Sequence, residues 1–162
     1  MALNASIPKS VAHGIDDVRA LVGQLVGPSE WHEVTQAMID QFADLTGDHQ
    51  WIHVDVERAK AESPYGTTVA HGNLTLSLID GLRRDLSEWS GFKLGVNYGW
   101  NKVRFPAPVL SGTRARCYAQ IIDVSDLGGA WYQIVTRFTV EAEGSEKPVC
   151  VADGVGRVLV GE

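Results

Sequence analysis

The stretch that decides the fold runs over residues 42–80, FADLTGDHQWIHVDVERAKAESPYGTTVAHGNLTLSLID. A helical pattern enters it and ends at Gly47, because glycine is the residue that most often stops a helix. Asp48 and His53 follow in a predicted loop, so a carboxylate and an imidazole lie close together in the sequence. Such a pair is suited to general acid–base catalysis.

The second part of the stretch predicts a buried central helix over about Ala70–Glu88. Its most apolar run, Leu74–Ile79, follows Ala70-His71-Gly72, and its later residues are charged. The first turn of such a helix has unpaired N–H groups and the positive end of the helix dipole, which stabilise negative charge developing on a carbonyl oxygen. We therefore interpret residues 42–80 as an acid and a base that face an oxyanion site.

The composition predicts a globular chain that is not built for nucleic acid. The 162 residues are most simply one domain, over residues 1–162, or one subunit of a small oligomer. The hydrophobic and charged fractions, 44% and 21%, are ordinary for such a chain. A net charge of -6 argues against nucleic acid as the main partner, because phosphate binding needs a basic surface.

Cysteine usage and hydropathy indicate a reduced, intracellular setting. Cys117 and Cys150 stand alone in strand-like segments, and neither has the spacing of a metal site or a disulfide framework. No apolar run has the length of a signal sequence core or a membrane span. We expect a cytoplasmic protein with no bound metal and no membrane partner.

Patterns on either side of the central stretch predict short helices before it and strands after it. An N-terminal arm over residues 1–28 contains an amphipathic helix. The predicted elements before the central helix are a helix over Ile15–Leu25, a brief strand over Trp31–Val34, a helix capped by Thr35 that ends at Gly47, and a helix over Val56–Glu62 capped by Asp55.

Alternating apolar residues and turn signals predict strands after Gly91. They lie over Lys93–Tyr98, Trp100–Phe105, Thr113–Val124, Trp131–Glu141 and Val149–Val160. Consecutive strands joined by short turns form an antiparallel sheet, and such a sheet buries a long apolar helix by curling round it. The predicted fold class is α+β, with about five strands wrapped round the central helix.

Several motifs resemble one known family. The segment Phe42–Asp48, with His53 and Ala59, resembles the signature of the MaoC-like hydratases, also called R-specific or type 2 enoyl-CoA hydratases. Ala70-His71-Gly72 and Asn101–Val109 resemble later motifs of that family, in the expected order. The amino-acid sequences of residues 47–53 and 97–109 are most similar to those of the nodulation-protein-N-like branch. The resemblance implies a hotdog fold, usually dimeric, with acyl-CoA in a tunnel at the subunit interface.

The resemblance also implies roles for individual residues. Asp48 and His53 correspond to the catalytic pair, and Gly72 to the glycine whose N–H contacts the thioester oxygen. Gln50-Trp51 stands where the family commonly has Asn-Pro, and with His71 these residues are candidates for binding substrate. The helix serine of the family aligns with either Ser77 or Asp80.

Each candidate has a plainer explanation. The alternatives are a turn cap for Asp48, a histidine bonded to the backbone for His53, and a point of close packing for Gly72. Lys102 and Arg104 are candidates for CoA phosphate contacts, which arginine suits by its bidentate geometry, and the alternative is a solvated surface.

The predicted function is that of a homodimeric hydro-lyase that adds water to trans-2-enoyl-CoA and gives R-3-hydroxyacyl-CoA. No cofactor is expected, because CoA is part of the substrate. An acyl-CoA thioesterase and a non-catalytic module that binds acyl-CoA or an acyl carrier are the alternatives. Release of free thiol from a saturated acyl-CoA would favour the thioesterase.

Overall fold

The computed structural model describes residues 9–161. The elements in chain order are β1 (Ser10–His13), α1 (Ile15–Ala20), β2 (Leu25–Val26), β3 (His32–Val34), α2 (Gln36–Thr46), α3 (Trp51–Val54), α4 (Val56–Glu62), α5 (Gly72–Leu82), a 3₁₀ turn (Arg83–Asp85), β4 (Ser87–Ser90), β5 (Phe92–Arg104), β6 (Thr113–Gly128), β7 (Trp131–Ala142) and β8 (Cys150–Val160). None of the helices within these residues has the length and hydropathy needed to cross a membrane.

The main sheet is antiparallel and holds α5 against one face. Its strand order is β2-β6-β7-β8-β5, and β3 pairs with β6 beside β2. Leu74, Ile79 and Leu82 of α5 belong to one buried cluster with Phe138, Val140 and other side chains of the sheet. The predicted α+β arrangement, an antiparallel sheet round a central helix, is confirmed.

Local capping residues set the helices that lead to the site. Thr35 accepts a hydrogen bond from the Met38 N–H, and Gly47 ends α2 in the left-handed region with φ of 77°. Asp55 accepts a hydrogen bond from the Arg58 N–H at 3.0 Å and caps α4. These three predicted caps are confirmed. Asp48 directly follows the helix end at Gly47.

Three predicted boundaries are wrong, each for a tertiary reason. The N-terminal helix ends at Ala20 instead of Leu25, because Leu25 pairs with Gln120 in the sheet. The central helix ends at Leu82 instead of Glu88, because Ser87–Ser90 pairs in parallel with β1. The two strands predicted on either side of Gly99 are one strand, β5, with a register shift at that glycine. Residues 1–8 of the predicted arm lie outside the described residues.

The two cysteines are free and buried in the sheet. Burial raises the pKa of the Cys117 thiol to about 12 and that of the Cys150 thiol to about 11. Both thiols are therefore protonated at neutral pH, and neither has the low pKa of a reactive cysteine.

Candidate active site

Asp48 and His53 come together at the near end of α5, where that helix begins. A carboxylate oxygen of Asp48 and one ring nitrogen each of His53 and His71 all lie within 4.8 Å of one another. Asp48 is exposed, and its carboxylate accepts one long hydrogen bond, 3.4 Å, from the Gln50 N–H. His53 is 7% exposed and lies in the short helix α3, which replaces part of the predicted loop.

The hydrogen bonds of His53 select one tautomer. Nδ1 lies 2.6 Å from the carbonyl oxygen of Val69, so Nδ1 carries the hydrogen and Nε2 is the basic nitrogen. Nε2 has no hydrogen-bond partner within residues 9–161. The plainer expectation, a histidine bonded to backbone, is seen at Nδ1, and the other nitrogen remains available for proton transfer.

His71 lies behind this pair. Its ring stacks on His53 with 3.7 Å between ring centroids and 25° between planes. Its Nε2 donates a hydrogen bond of 2.9 Å to the carbonyl oxygen of Asp48. Because His71 is only 4% exposed, these contacts favour a supporting position over the predicted substrate contact.

Gly72 is the first residue of α5 and lies against Phe105. A Cβ at this position would lie 2.8 Å from two carbons of the Phe105 ring, so close packing by itself accounts for the glycine. The Gly72 N–H is also one of the first-turn groups that a helix leaves without an intrahelical partner. Both explanations hold at the same residue.

The residues that replace Asn-Pro are near the pair but loosely held. Gln50 is exposed at the start of α3, and its side chain makes no capping hydrogen bond. Trp51 is half-buried, and the guanidinium of Arg58 lies 4.4 Å from its ring centroid. That cation–π contact sets the ring of Trp51 against α4.

The candidate phosphate ligands are exposed at the end of β5 that lies nearest the site. Lys102 and Arg104 are exposed, and neither forms an ion pair within the described residues. Phe105, which follows Arg104, packs on Gly72 and so brings this end of the strand to the start of α5. Of the helix positions, Ser77 donates to the Asn73 carbonyl and Asp80 pairs with Arg83.

Asp48, His53 and His71 have the composition of a metal site, but the ring geometry is unsuitable. The lone pairs of imidazole nitrogens lie in the ring planes, and these two rings stack nearly in parallel at 3.7 Å. Their lone pairs therefore run side by side and do not converge on one ion. Nε2 of His71 and Nδ1 of His53 are also already donors to carbonyl oxygens.

Comparison with known proteins decides the family. The model of the MaoC like domain matches residues 17–142. The chain belongs to the MaoC-like dehydratase family. The predicted family is thereby confirmed for most of the chain.

Relatives of this MaoC-like protein include enzymes of the predicted class. The 3-hydroxyacyl-thioester dehydratase Z of Mycobacterium tuberculosis (strain ATCC 25618 / H37Rv) is 50% identical over 145 residues, which cover 90% of this chain and 95% of that protein. Nodulation protein N of Rhizobium meliloti (strain 1021) is 40% identical over 142 residues, covering 87% and 88%. The predicted similarity to nodulation protein N and the predicted hydro-lyase class are confirmed.

A solved structure confirms the hotdog fold of the MaoC-like chain. The (R)-hydratase from A. caviae involved in PHA biosynthesis superposes with a TM-score of 0.63 at 21% identity, covering 83% of this chain and 94% of that chain. At this identity the likeness establishes the fold.

Sequence reasoning missed the residues that hold His53 in place. Nε2 of Gln36 donates 2.7 Å to the carbonyl oxygen of His53, and the buried Thr68 hydroxyl donates 2.5 Å to Oε1 of Gln36. The carbonyl of Val69 is the acceptor for Nδ1 of His53. A backbone acceptor has no sequence signal, and a glutamine after a helix cap is too common to serve as one.

Proposed function

We propose that this protein is an R-specific enoyl-CoA hydratase that adds water to trans-2-enoyl-CoA, with Asp48 and His53 as its catalytic pair. The observation that carries the proposal is an accessible carboxylate within 4.8 Å of an imidazole whose Nδ1 is already bound to Val69. A relative named as a 3-hydroxyacyl-thioester dehydratase and a structural neighbour named as an (R)-hydratase support the reaction and its stereochemistry.

A carboxylate oxygen of Asp48 and a ring nitrogen of His53 lie within 4.8 Å of each other, close enough for one bridging water molecule. Two hydrogen bonds of about 2.8 Å that meet at a tetrahedral angle span about 4.6 Å. A water held between Asp48 and Nε2 of His53 would lose a proton to the pair as its oxygen bonds to C3 of the enoyl group. The pair then returns one proton to C2, so the elements of one water are added.

The start of α5 supplies the third requirement of the reaction. Bond formation at C3 places negative charge on the thioester oxygen before C2 is protonated. The Gly72 N–H and the positive end of the α5 dipole would stabilise that charge. Lys102 and Arg104, exposed on the adjoining end of β5, are the proposed contacts for the CoA phosphates.

We place the acyl chain in a cavity of about 280 Å³ on the inner face of the sheet. Aromatic and aliphatic side chains line it together with three glycines: Trp89, Trp100, Ile134, Phe138 and Val158, with Gly95, Gly154 and Gly156. Asp80 and Arg83, at the far end of α5, also border this cavity, whereas Asp48 and His53 do not.

A homodimer joined along β5 would unite the pair with the cavity. β5 is an edge strand of 13 residues, and Leu94, Val96 and Tyr98 on it are 49%, 41% and 60% exposed. Long edges with exposed apolar side chains are rare unless another strand covers them. A two-fold axis at this edge would set the near end of one α5 beside the far end of the other, so each cavity would receive the pair of the partner subunit.

Hydration, thioester hydrolysis and simple binding are separated by one set of assays. Loss of enoyl absorbance from crotonyl-CoA, with chiral analysis showing the R product, is the expected result. Free thiol released from saturated butyryl-CoA would establish the thioesterase instead. Tight binding of acyl-CoA with no turnover of either compound would establish a binding module.

The dimer is tested by sedimentation. Leu94→Lys should shift the protein to monomer and remove hydration, because a charge on the edge opposes strand pairing and Leu94 does not border the cavity. Leu127→Lys is the matched control, since Leu127 is 46% exposed in a strand end away from β5. An unchanged mass for Leu94→Lys would contradict this interface. The cytoplasmic location and the lack of a cofactor stay predictions.

A further inference from the structure

We propose that His71 is a positioning residue that holds the backbone of Asp48 and the ring of His53 in their reactive arrangement without touching substrate. This inference rests on the proposed function, because it concerns the same pair. It assigns His71 a role different from the substrate contact that its sequence position suggests.

The hydrogen bonds of His71 bear on its tautomer. A carbonyl oxygen only accepts, so the 2.9 Å contact with the Asp48 carbonyl requires a hydrogen on Nε2. Nδ1 is buried and has no hydrogen-bond partner within residues 9–161. A second proton on Nδ1 would be a buried donor without an acceptor, which is costly. The contacts of His71 therefore favour the tautomer that carries its hydrogen on Nε2.

The ring contacts of His71 remove a freedom that hydrogen bonding leaves to His53. One hydrogen bond, from Nδ1 to Val69, restrains the ring, but coupled rotation about the side-chain torsions χ1 and χ2 can still tilt the ring plane about that bond. His71 stacks on one face of His53 at 3.7 Å, and Phe42 packs 5.1 Å from His71 with a 51° tilt. The stack prevents the rotation and so keeps Nε2 of His53 aimed in one direction.

The same side chain anchors Asp48, which has little other support. The carboxylate is exposed, and within residues 9–161 it accepts a single hydrogen bond, of 3.4 Å, from the Gln50 N–H. The bond from His71 fixes the backbone carbonyl of Asp48, one residue after the helix end at Gly47. The His71 carbonyl also accepts from the Thr75 N–H at 3.1 Å, so His71 connects the acid, the base and the start of α5.

Two substitutions separate the two contacts. His71→Phe keeps a ring for stacking and loses the donor to Asp48, and His71→Gln keeps an N–H donor and loses the ring. Each should lower kcat for crotonyl-CoA by roughly 10- to 100-fold, because a misplacement of about 1 Å in a catalytic group has that effect. KM should change by less than about two-fold, because no substrate contact is lost.

A double-mutant cycle tests whether His71 acts through His53. In a His53→Ala protein, His71→Gln should cause no further loss of kcat, since the group that it positions is gone. A rise in KM with unchanged kcat would assign His71 to substrate binding. Equal losses of kcat in the presence and absence of His53 would show that His71 has only a structural role. The same conclusion would follow if kcat fell only in proportion to the melting temperature, as expected for the core control Ile79→Val. Either result overturns the proposal.

Nitrogen NMR of histidine-labelled protein tests the arrangement independently of turnover. The expected spectrum has the hydrogen on Nε2 of His71 and on Nδ1 of His53. In His71→Gln, solvent exchange of the His53 Nδ1 hydrogen should be faster by roughly ten-fold or more, because the ring of His53 is no longer held by stacking. The opposite tautomer at His71, or unchanged exchange, would overturn the positioning role. A wild type that matches this spectrum but leaves crotonyl-CoA unchanged would overturn only the proposed function.

Discussion

Replacing Gln36 by alanine should lower the free energy of unfolding by more than the replacement of a half-buried polar residue normally does. Gln36 lies in the first turn of α2 and joins two segments that are distant in sequence. Its Nε2 donates 2.7 Å to the carbonyl of His53, and its Oε1 accepts 2.5 Å from the hydroxyl of Thr68. A third bond, to the exposed Asp40 carboxylate, is expected to contribute little.

The expected cost has one contribution from each bond. Loss of the bond to the His53 carbonyl costs about 1 kcal/mol, and the buried Thr68 hydroxyl left without its acceptor costs about 1–3 kcal/mol. Thr68 is 1% exposed, so water cannot replace the lost acceptor without a rearrangement. The free energy of unfolding should fall by about 2–4 kcal/mol, which corresponds to roughly 4–16 °C in Tm for a chain of this length.

Denaturation at matched protein concentration measures this cost, since an oligomer is more stable at higher concentration. Thr68→Val, which removes the hydroxyl and keeps the shape, is the second corner of a double-mutant cycle. The double variant should be less destabilised than the sum of the single ones by about 1 kcal/mol or more. A cost below about 0.5 kcal/mol for Gln36→Ala, or strict additivity with Thr68→Val, would refute this use of the hydrogen bonds.

Two further predictions concern the cavity and pH. Gly156→Val should fill the cavity without a clash, since a Cβ at this position would have no atom nearer than 3.8 Å. Turnover of a long trans-2-enoyl-CoA should then fall far more than turnover of crotonyl-CoA. Equal losses for the two substrates would contradict the acyl site. Arg137, bound to Asp153 at 2.7 and 2.9 Å, holds the pKa of that carboxyl below its usual range, so the folded state binds the Asp153 proton less readily than the unfolded state. The pair therefore stabilises the fold fully above the unfolded pKa of about 3.9 and loses this effect as pH falls through the lowered pKa. Asp153→Asn should lower the free energy of unfolding by about 1 kcal/mol near pH 7, a modest value because the Arg137 side chain is 45% exposed. The difference in Tm between this variant and the wild type should shrink in acid. A difference that stays constant with pH would contradict this assignment.

Features that depend on neighbouring residues were predictable from the sequence. Thr35, Gly47 and Asp55 act as caps in the structure because each satisfies a helix end within three or four residues of itself. The alternation over residues 132–140 likewise indicated which side of β7 faces the core, where Ile134, Phe138 and Val140 are buried.

Features that depend on distant partners were not predictable in this way. The end of α5 at Leu82 is set by the pairing of Ser87–Ser90 with β1, more than seventy residues earlier in the chain. The position of Asp48 and His53 was indicated by motif resemblance. Their support by Gln36 and the Val69 carbonyl needed coordinates, because it joins helix, loop and backbone from separate segments.

The catalytic pair is tested most directly by the rate at which crotonyl-CoA loses its enoyl absorbance. The wild type should hydrate it, and Asp48→Asn and His53→Ala should each lower the rate by roughly 100- to 10,000-fold in folded protein. The same segment offers a matched control pair: His49 and Asp44 are exposed, and their side chains lie 2.9 Å apart. Asp44→Asn and His49→Ala should leave the rate unchanged. Hydration that survives Asp48→Asn or His53→Ala in folded protein would contradict the assignment of this pair.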